Sequence, residues 1–466
     1  PRPCPSFFAM VDHAVISVGN RVLTRDNDAV SAQKYRYPTV TAVVIANMVG
    51  TGVFTSLGFQ LLEIDSGFVL MTLWAVGGVI ALCGAMTYAE LGAALPRSGG
   101  EYNFLTEIYH PALGFVSGWV SATIGFAGPT ALAAMTFSAY FASTFEAADS
   151  AGMRKLLATV LVVLLATTHA SNHRTSGTTQ LAFTIVKVAV IAVFCVAALA
   201  FGTTDQSVCY MPVAEDRGVI ASGTFAVALI YVSYAYTGWN AATYLSSELE
   251  APGRTLPGIL AVGTMAVTLL YIALNYTFLE TAPIETMRGQ VEIGYISARA
   301  AFGEWGGRLT GIVLAGLLVS TVSAMLIAGP RVLQVIGEDF PVFRVLARRN
   351  RHGIPAVAIA FQALLAVVFV LSGTFESVLV FAGFTLALNS FITVLGVFVL
   401  RWRRPELPRP YRTFGYPVTP LLYLGLTGWT LVFVLLNKPV EGMFGLAVVA
   451  SGLLVFFIAD RGQRST

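Results

Sequence analysis

The sequence reads Asn47-Met48-Val49-Gly50-Thr51-Gly52-Val53-Phe54 in the middle of an apolar run that extends from residue 37 to residue 62. A glycine in a helix interior lowers helix stability by about 1 kcal/mol relative to alanine. Two glycines on either side of one threonine therefore favour an interruption of the helix. Non-helical backbone at the middle of a membrane is tolerated where it lines a cavity. If this run crosses a membrane, it predicts a broken helix beside a binding cavity.

The composition places the whole chain in a membrane. The 466 residues are 56% hydrophobic and 11% charged, and the mean hydropathy is +0.73. Soluble globular domains carry about 25% charged residues, so this chain has too few charges for a water-exposed surface. The composition excludes a soluble enzyme, a nucleic-acid-binding domain and a disulfide scaffold. We found no nucleotide-binding loop, metal-ligand cluster or nucleophile with a base, so we expect no enzyme activity, no metal and no cofactor.

Twelve apolar runs are long enough to cross the hydrocarbon core, which takes about 20 residues of helix. They are too long for membrane β-strands. Runs without Asp, Glu, Lys or Arg delimit the predicted spans, and only Lys187 interrupts one of them. The spans are 37–62, 66–89, 111–145, 156–173, 175–204, 218–247, 255–279, 309–330, 353–375, 377–400, 413–437 and 442–459. We therefore predict an all-α membrane protein with 12 transmembrane helices.

The distribution of Lys and Arg predicts the orientation. With the N-terminus inside, 20 of the 28 basic residues lie on the cytoplasmic side, seven lie outside, and Lys187 lies in the membrane. Positively charged loops face the cytoplasm. We expect tails at 1–36 and 460–466 in the cytoplasm and a multi-pass location in the plasma (cell inner) membrane. The longest loop, 280–308, is expected to form short helices over the outer mouth.

A second interruption, at Gly238, lies in the sixth span, five helices after the first one. This stretch reads Tyr234-Ala235-Tyr236-Thr237-Gly238-Trp239-Asn240. Interrupted helices at corresponding positions of two halves are typical of inverted-repeat transporters that bind substrate at the midplane. The free N–H groups of a half-helix suit a carboxylate, and carbonyls released before the break suit an ammonium group. The alternative is that Gly50 and Gly52 only form a close-packing face between helices.

These residues resemble the amino acid–polyamine–organocation permeases, and most closely their L-type amino acid transporter branch. The resemblance rests on the stretch from Val49 to Phe54 and on further segments of the chain. These are Pro96-Arg97-Ser98-Gly99-Gly100-Glu101-Tyr102 through Gly114 to Trp119, then Tyr236 to Asn240, Ser247-Glu248, and Pro252 to Pro257. The resemblance implies a LeuT-type fold with inverted repeats at 37–204 and 218–400, broken helices 1 and 6, and two further helices at 413–459.

The resemblance also implies which groups bind substrate. The backbone N–H groups of Gly50, Thr51 and Gly52 would hold a carboxylate. The carbonyls of Met48, Tyr234 and Thr237 would hold an amine. Tyr234 would act as an outer gate, Asn240 as a polar neighbour of the pocket, and Trp239 as a second gating aromatic beside the break. Thr237 stands where the L-type branch usually has glycine, which argues against a large aromatic substrate.

Three charged residues near or within the spans need separate explanations. An intramembrane lysine is functional by default, and the resemblance implies that Lys187 places its ammonium where sodium-coupled members of the fold bind sodium. Transport would be sodium-independent, with Lys187 either carrying a proton or staying charged as a fixed strut; the alternative is a neutral, packed lysine. Glu90 and Glu248 lie near the cytoplasmic edge, where capping or pairing with Arg97 or Arg254 is expected and an inner-gate role is the alternative.

The leading function is therefore a secondary transporter of neutral amino acids, either a sodium-independent proton symporter or an exchanger. A polyamine or organic-cation permease of the same fold is the first alternative, but the pocket-forming spans contain no acidic residue to pair a second ammonium. A channel or a membrane-embedded enzyme is the second. The expected partners are the amino acid and the lipid bilayer, and no nucleic acid. L-type relatives in animals join an accessory glycoprotein through a cysteine in the loop between the third and fourth spans. The loop at 144–155 of this chain has no cysteine, so the resemblance implies no covalent accessory subunit; Cys209 is the only outward candidate.

Overall fold

A computed structural model describes residues 36–145, 150–171, 177–202, 208–340, 343–351 and 353–464. Within these residues the protein is helical and contains no β-strand. Ten helices are long and apolar enough to cross a membrane, and two shorter apolar helices lie at 223–235 and 356–372. The protein is therefore a multi-pass membrane protein. The expected cytoplasmic tail at 1–36 lies outside the described residues except for Arg36.

The described residues of the first half of the chain form eight α-helices. They are α1 (Tyr37–Met48), α2 (Gly52–Gln60), α3 (Gly67–Ala94), α4 (Glu101–Ile108), α5 (Pro111–Val120), α6 (Ala127–Thr144), α7 (Ala151–Ser171) and α8 (Gly177–Phe201). A π-helical segment, Ser121–Gly125, joins α5 to α6. Such π segments occur frequently at functional sites. The helix α4 lies in a stretch that the sequence analysis treated as a loop between two spans.

In the second half, the residues that the structure describes form nine α-helices and the 3₁₀ helix Ala241–Glu248. They are α9 (Asp216–Ile220), α10 (Gly223–Ala235), the 3₁₀ helix (Ala241–Glu248), α11 (Pro252–Thr281), α12 (Ile284–Met287), α13 (Ile293–Asp339), α14 (Ala356–Ser372), α15 (Phe375–Arg403), α16 (Val418–Asn437) and α17 (Pro439–Arg464). The helix α13 contains a kink at Gly303, where φ is 72°. It therefore takes up much of the expected loop 280–308. The helix α17 runs to Arg464, and the part of it that is apolar enough to cross a membrane is Pro439–Ala459.

Both predicted interruptions are present in the backbone. The first span divides between Met48, where α1 ends, and Gly52, where α2 begins. The sixth span ends its α-helix at Ala235 and continues only as the 3₁₀ helix from Ala241. The flanking long helices pack in pairs, α13 along α6 and α11 along α3, and they enclose the two interrupted spans. This arrangement buries both breaks in the protein interior.

Candidate binding site at the two helix breaks

The two breaks touch each other, and glycine makes this contact possible. A Cβ atom on Gly52 would lie 2.5 Å from Cα of Ala235, at the end of α10. A Cβ atom on Gly238 would lie 2.6 Å from the carbonyl oxygen of Asn47 in α1. Gly238 also has a φ of 102°, which L-residues with a side chain rarely adopt. Each break thus fits against the other half of the chain because it carries no side chain at that point.

The start of α2 offers free backbone N–H groups. The first N–H groups of a helix have no partner within the helix. The structure records no hydrogen bond for the N–H groups of Thr51 and Gly52 within its described residues. The N–H of Gly50 differs, since it donates to the carbonyl oxygen of Met48 at 2.7 Å. The N–H groups of Thr51 and Gly52 are thus free to bind a carboxylate, whereas that of Gly50 would first have to leave Met48.

Tyr271 of α11 connects the two breaks, and the sequence analysis missed it. Its hydroxyl donates to the carbonyl oxygen of Met48 at 2.6 Å and lies 3.1 Å from that of Ala235. The ring is buried and packs edge-on against Trp74 in α3, with ring centroids 5.7 Å apart. The hydroxyl has one proton, so it donates to only one of these two carbonyl oxygens at a time, and the other carbonyl oxygen keeps a free lone pair. A tyrosine inside an apolar span was the available signal.

The second break contains Tyr234 and Thr237. The carbonyl oxygen of Tyr234 accepts the N–H of Thr237 at 3.0 Å and its hydroxyl at 2.7 Å. The carbonyl oxygen of Thr237 has no recorded partner within the described residues. The Tyr234 side chain is buried, and its hydroxyl lies within hydrogen-bonding reach of the Thr51 side chain. Tyr234 therefore contacts the first break while its own carbonyl is already engaged.

Lys187 reaches the first break from α8. Its Nζ donates to Oγ1 of Thr321 in α13 at 2.8 Å and lies 3.5 Å from the carbonyl oxygen of Val49. The residue is 6% exposed. No carboxylate pairs with Lys187 among the residues that the structure describes. The lysine therefore joins three separate elements (α8, the first break and α13) through neutral oxygen atoms.

Trp239 and Asn240 contact residues of α3, α4 and α16. The ring of Trp239 meets Tyr88 edge-on at 4.7 Å and faces Tyr423 at 6.3 Å. Asn240 donates its side-chain amide to Oε1 of Glu101. Both contacts fix the turn after the second break rather than a surface that faces Gly50 to Gly52. The sequence analysis did not single out Glu101 as a site residue.

A cavity lies behind the second break. Its volume, counted as the space that the centre of a water molecule can occupy, is about 50 Å³. Its walls come from α3, the second break, α15 and α16, and they include Ser233, Thr237, Trp239, Ser390, Tyr423 and Thr427. None of the residues from Met48 to Gly52 lines it. The side chain of Thr237 thus occupies space that a larger ligand would need on this side of the break.

Glu90 and Glu248 have different surroundings at the ends of their helices. Glu90 is fully buried and accepts two hydrogen bonds from Arg401, at 2.8 and 2.7 Å. It also accepts the N–H and the hydroxyl of Thr413, each at 2.7 Å. Glu90 thus pairs with arginines of a predicted loop, but they are Arg401 and Arg409, between the predicted spans 377–400 and 413–437, and not Arg97 or Arg254. Glu248 is exposed, and no ion pair is recorded for it among the described residues.

Comparison with known proteins identifies the family of the chain. The family model described as amino acid permease matches residues 36–463. The chain is 28% identical over 443 residues to the human large neutral amino acids transporter small subunit 2, which covers 91% of this chain and 79% of that protein. It is 26% identical over 427 residues to the human b(0,+)-type amino acid transporter 1, covering 90% of this chain and 86% of that protein. The chain therefore belongs to the amino acid permease family.

Proposed function

We propose that this permease moves neutral amino acids across the plasma membrane by alternating access, without sodium, as a proton symporter or an exchanger. Its family and its relatives are transporters of amino acids and not enzymes. The free N–H groups at the start of α2 suit the substrate carboxylate. The unpartnered carbonyl of Thr237 suits its ammonium group, and the carbonyl of Met48 joins it when the Tyr271 hydroxyl turns from Met48 to Ala235. A zwitterion is the ligand that uses both sets of groups.

The contact between Lys187 and the first break carries the sodium-independent part of the proposal. A sodium ion binds through oxygen ligands such as hydroxyls and carbonyls. The Nζ of Lys187 already donates to such a pair, Oγ1 of Thr321 and the carbonyl of Val49. A fixed ammonium group at this point supplies the positive charge that a bound ion would otherwise bring. Lys187 would then either stay charged as a fixed strut between the elements that it joins, or carry a proton as the transporter alternates between its outward-open and inward-open states.

The proposal includes the finer architecture. The ten long helices and two shorter apolar ones support twelve spans, with inverted repeats at 37–204 and 218–400 and two further helices at 413–459. The breaks at Gly50 to Gly52 and at Gly238 support the correspondence of helices 1 and 6 in a LeuT-type fold. The excess of basic residues in one set of loops supports cytoplasmic termini.

The experiment compares the native protein with Lys187→Ala in proteoliposomes. Uptake and counterflow of labelled alanine, serine and leucine are measured in sodium and in sodium-free buffer at several pH values. We expect native transport to be equal in both buffers and Lys187→Ala to lose most of it. Lys155→Ala is the matched control, because Lys155 is exposed on α7 and donates to the carbonyl oxygen of Leu371. Strict sodium dependence, or full transport by Lys187→Ala, would contradict the proposal.

The same vesicles test the substrate class. A polyamine lacks a carboxylate and carries a second ammonium that needs an acidic partner. Saturable putrescine uptake that alanine, serine and leucine fail to inhibit would favour the polyamine alternative. Counterflow that neutral amino acids inhibit and putrescine does not would support the zwitterion.

We also propose that the chain works without a covalent accessory subunit. The part of the loop 144–155 that the structure describes contains no cysteine, and Cys209 is exposed near the start of α9. Native membranes should show no higher-mass band that disappears on reduction. A reducible band that is lost in Cys209→Ser would overturn this proposal.

A further inference from the structure

Glu101 is a buried acid that the proposed binding site does not use. It begins α4 and is 3% exposed. Its carboxylate accepts hydrogen bonds from Tyr88 at 3.1 Å, from Asn240 and from Tyr244. Two other buried glutamates have cationic partners, since Glu90 pairs with Arg401 and Glu292 with Arg154. No Lys, Arg or His pairs with Glu101 among the residues that the structure describes.

The groups that contact the Glu101 carboxylate are neutral. The helices α5 and α15 also pack against α4; α5 carries no charged residue, and Arg403 of α15 with Arg404 just after it contact Ile108 and Glu107 at the far end of α4. Tyr88 belongs to α3, Asn240 directly precedes the 3₁₀ helix that contains Tyr244, and Tyr423 of α16 lies nearby. The nearest charge on its own helix is Glu107, which pairs with Arg404 at the other end of α4. A buried carboxylate without a counter-charge is held only by donated hydrogen bonds, so it is sensitive to the loss of any donor.

The hydrogen-bond partners of Glu101 belong to two elements, the continuous helix α3 and the interrupted sixth span. Tyr88 belongs to the long helix α3, whereas Asn240 and Tyr244 belong to the half of the sixth span that follows the break. Hydrogen bonds to an ionised acceptor are about twice as strong as those between neutral groups. Charged Glu101 therefore holds the 3₁₀ helix against α4, and a protonated carboxyl holds it less firmly.

A polar route connects Glu101 with the second break. The Tyr88 hydroxyl donates to Glu101 and also interacts with Ser390, so it can pass its own proton to the carboxylate and accept another from the Ser390 hydroxyl. Ser390 lines the cavity behind the second break, together with Thr237 and Tyr423. That cavity is large enough for water, which needs about 10–15 Å³ measured in this way. A proton that enters at the breaks thus has hydroxyl groups along its way to the carboxyl.

We propose that Glu101 is a proton-binding site that couples transport to the proton gradient. The charged form closes the cytoplasmic side by holding the 3₁₀ helix, and a proton arriving through the cavity releases Asn240 and Tyr244. The opened site then returns the proton to the cytoplasm, and the charged carboxylate draws the helix back. Because protonation favours one conformation over the other, the proton shifts the equilibrium between them. This inference rests on the proposed amino acid transport and selects symport from its two modes.

The test measures proton movement and amino acid movement in the same proteoliposomes. A trapped pH-sensitive dye reports acidification when external alanine is added without a pH gradient, and labelled alanine reports counterflow. We expect the native protein to acidify the lumen as alanine enters. In Glu101→Gln the ratio of protons to alanine should fall about tenfold or more, because an amide does not titrate. Glu107→Gln is the matched control and should keep the native ratio.

A second variant separates proton binding from folding. Tyr244→Phe removes one donor from the 3₁₀ helix but keeps the acid, so it should retain alanine-linked acidification. A cysteine-free background with Ser246→Cys should react faster with a thiol reagent in both Glu101→Gln and Tyr244→Phe than in their parent. Unchanged proton flux in Glu101→Gln would overturn the inference. So would native counterflow without acidification, although that result would leave the proposed amino acid transport intact; absence of counterflow would overturn both.

Discussion

Replacing Gly52 with alanine tests whether the two helix breaks must touch. The added Cβ would lie 2.5 Å from Cα and 2.8 Å from Cβ of Ala235. Ordinary carbon contacts begin near 3.4 Å, so α2 and α10 must separate by roughly 1 Å or the backbone must bend. Overpacking of this kind typically costs about 1–3 kcal/mol. If that cost falls on the conformation with both breaks in contact, its population drops by about 5–150-fold relative to the separated one.

Gly50→Ala is the matched control for this prediction. A Cβ on Gly50 meets nothing closer than the Met48 carbonyl oxygen at 3.8 Å. Both variants add one methyl group to the same break, so a difference between them isolates the contact with Ala235. The assay is the alanine concentration that gives half-maximal counterflow, with the melting temperature of the purified protein measured beside it. Apparent affinity should fall by the factor above in Gly52→Ala only. Equal affinity and equal melting temperature in the two variants would refute the reasoning.

The sequence predicted the breaks because their cause is local. Glycine weakens a helix whatever surrounds it, and its position within an apolar run is visible in the chain itself. The partners of the breaks were not predictable in this way. Tyr271 lies 223 residues from Met48 along the chain, and a single sequence does not indicate which carbonyl an interior tyrosine will contact. The same holds for Lys187, whose position inside a span was visible while its contact with Thr321 was not.

The charged residues show the same limit in a different form. Glu90 was expected near a loop arginine because Arg97 and Arg254 are the basic residues closest in the predicted loops. The structure instead brings Arg401, 311 residues further along the chain, into contact with both carboxylate oxygens. The burial of Glu101 could not be predicted from the residues around it, since it follows glycines and serine typical of a loop. It begins the helix α4, which contains no long hydrophobic run that would predict a span. Its burial depends on α3, α15 and the 3₁₀ helix, which only the folded chain places together.

Three further changes test the site. Tyr271→Phe removes the hydroxyl that Met48 and Ala235 share. Leaving a buried polar group unsatisfied costs about 1–3 kcal/mol, so the apparent affinity for alanine in counterflow should fall. The control is Tyr276→Phe, at an exposed tyrosine, which should keep the native affinity. Glu90→Gln breaks a buried ion pair, and removing one partner of such a pair typically destabilises a protein by about 3–5 kcal/mol. The melting temperature of Glu90→Gln should therefore lie well below that of Glu107→Gln, whose ion pair is exposed. Equal melting temperatures would contradict this prediction. Thr237→Gly should broaden the substrate range. The Thr237 side chain lines the cavity behind the second break, and its hydroxyl occupies the Tyr234 carbonyl. Glycine removes three heavy atoms from that wall, and it frees one of the two lone pairs of the Tyr234 carbonyl for an ammonium group, since the backbone N–H of residue 237 keeps the other. Since a change of one methylene in an apolar pocket is worth about 10–200-fold in discrimination, inhibition of alanine counterflow by phenylalanine should strengthen by at least about tenfold, while inhibition by serine changes little. If phenylalanine inhibits native protein and variant equally, Thr237 does not limit the size of the substrate.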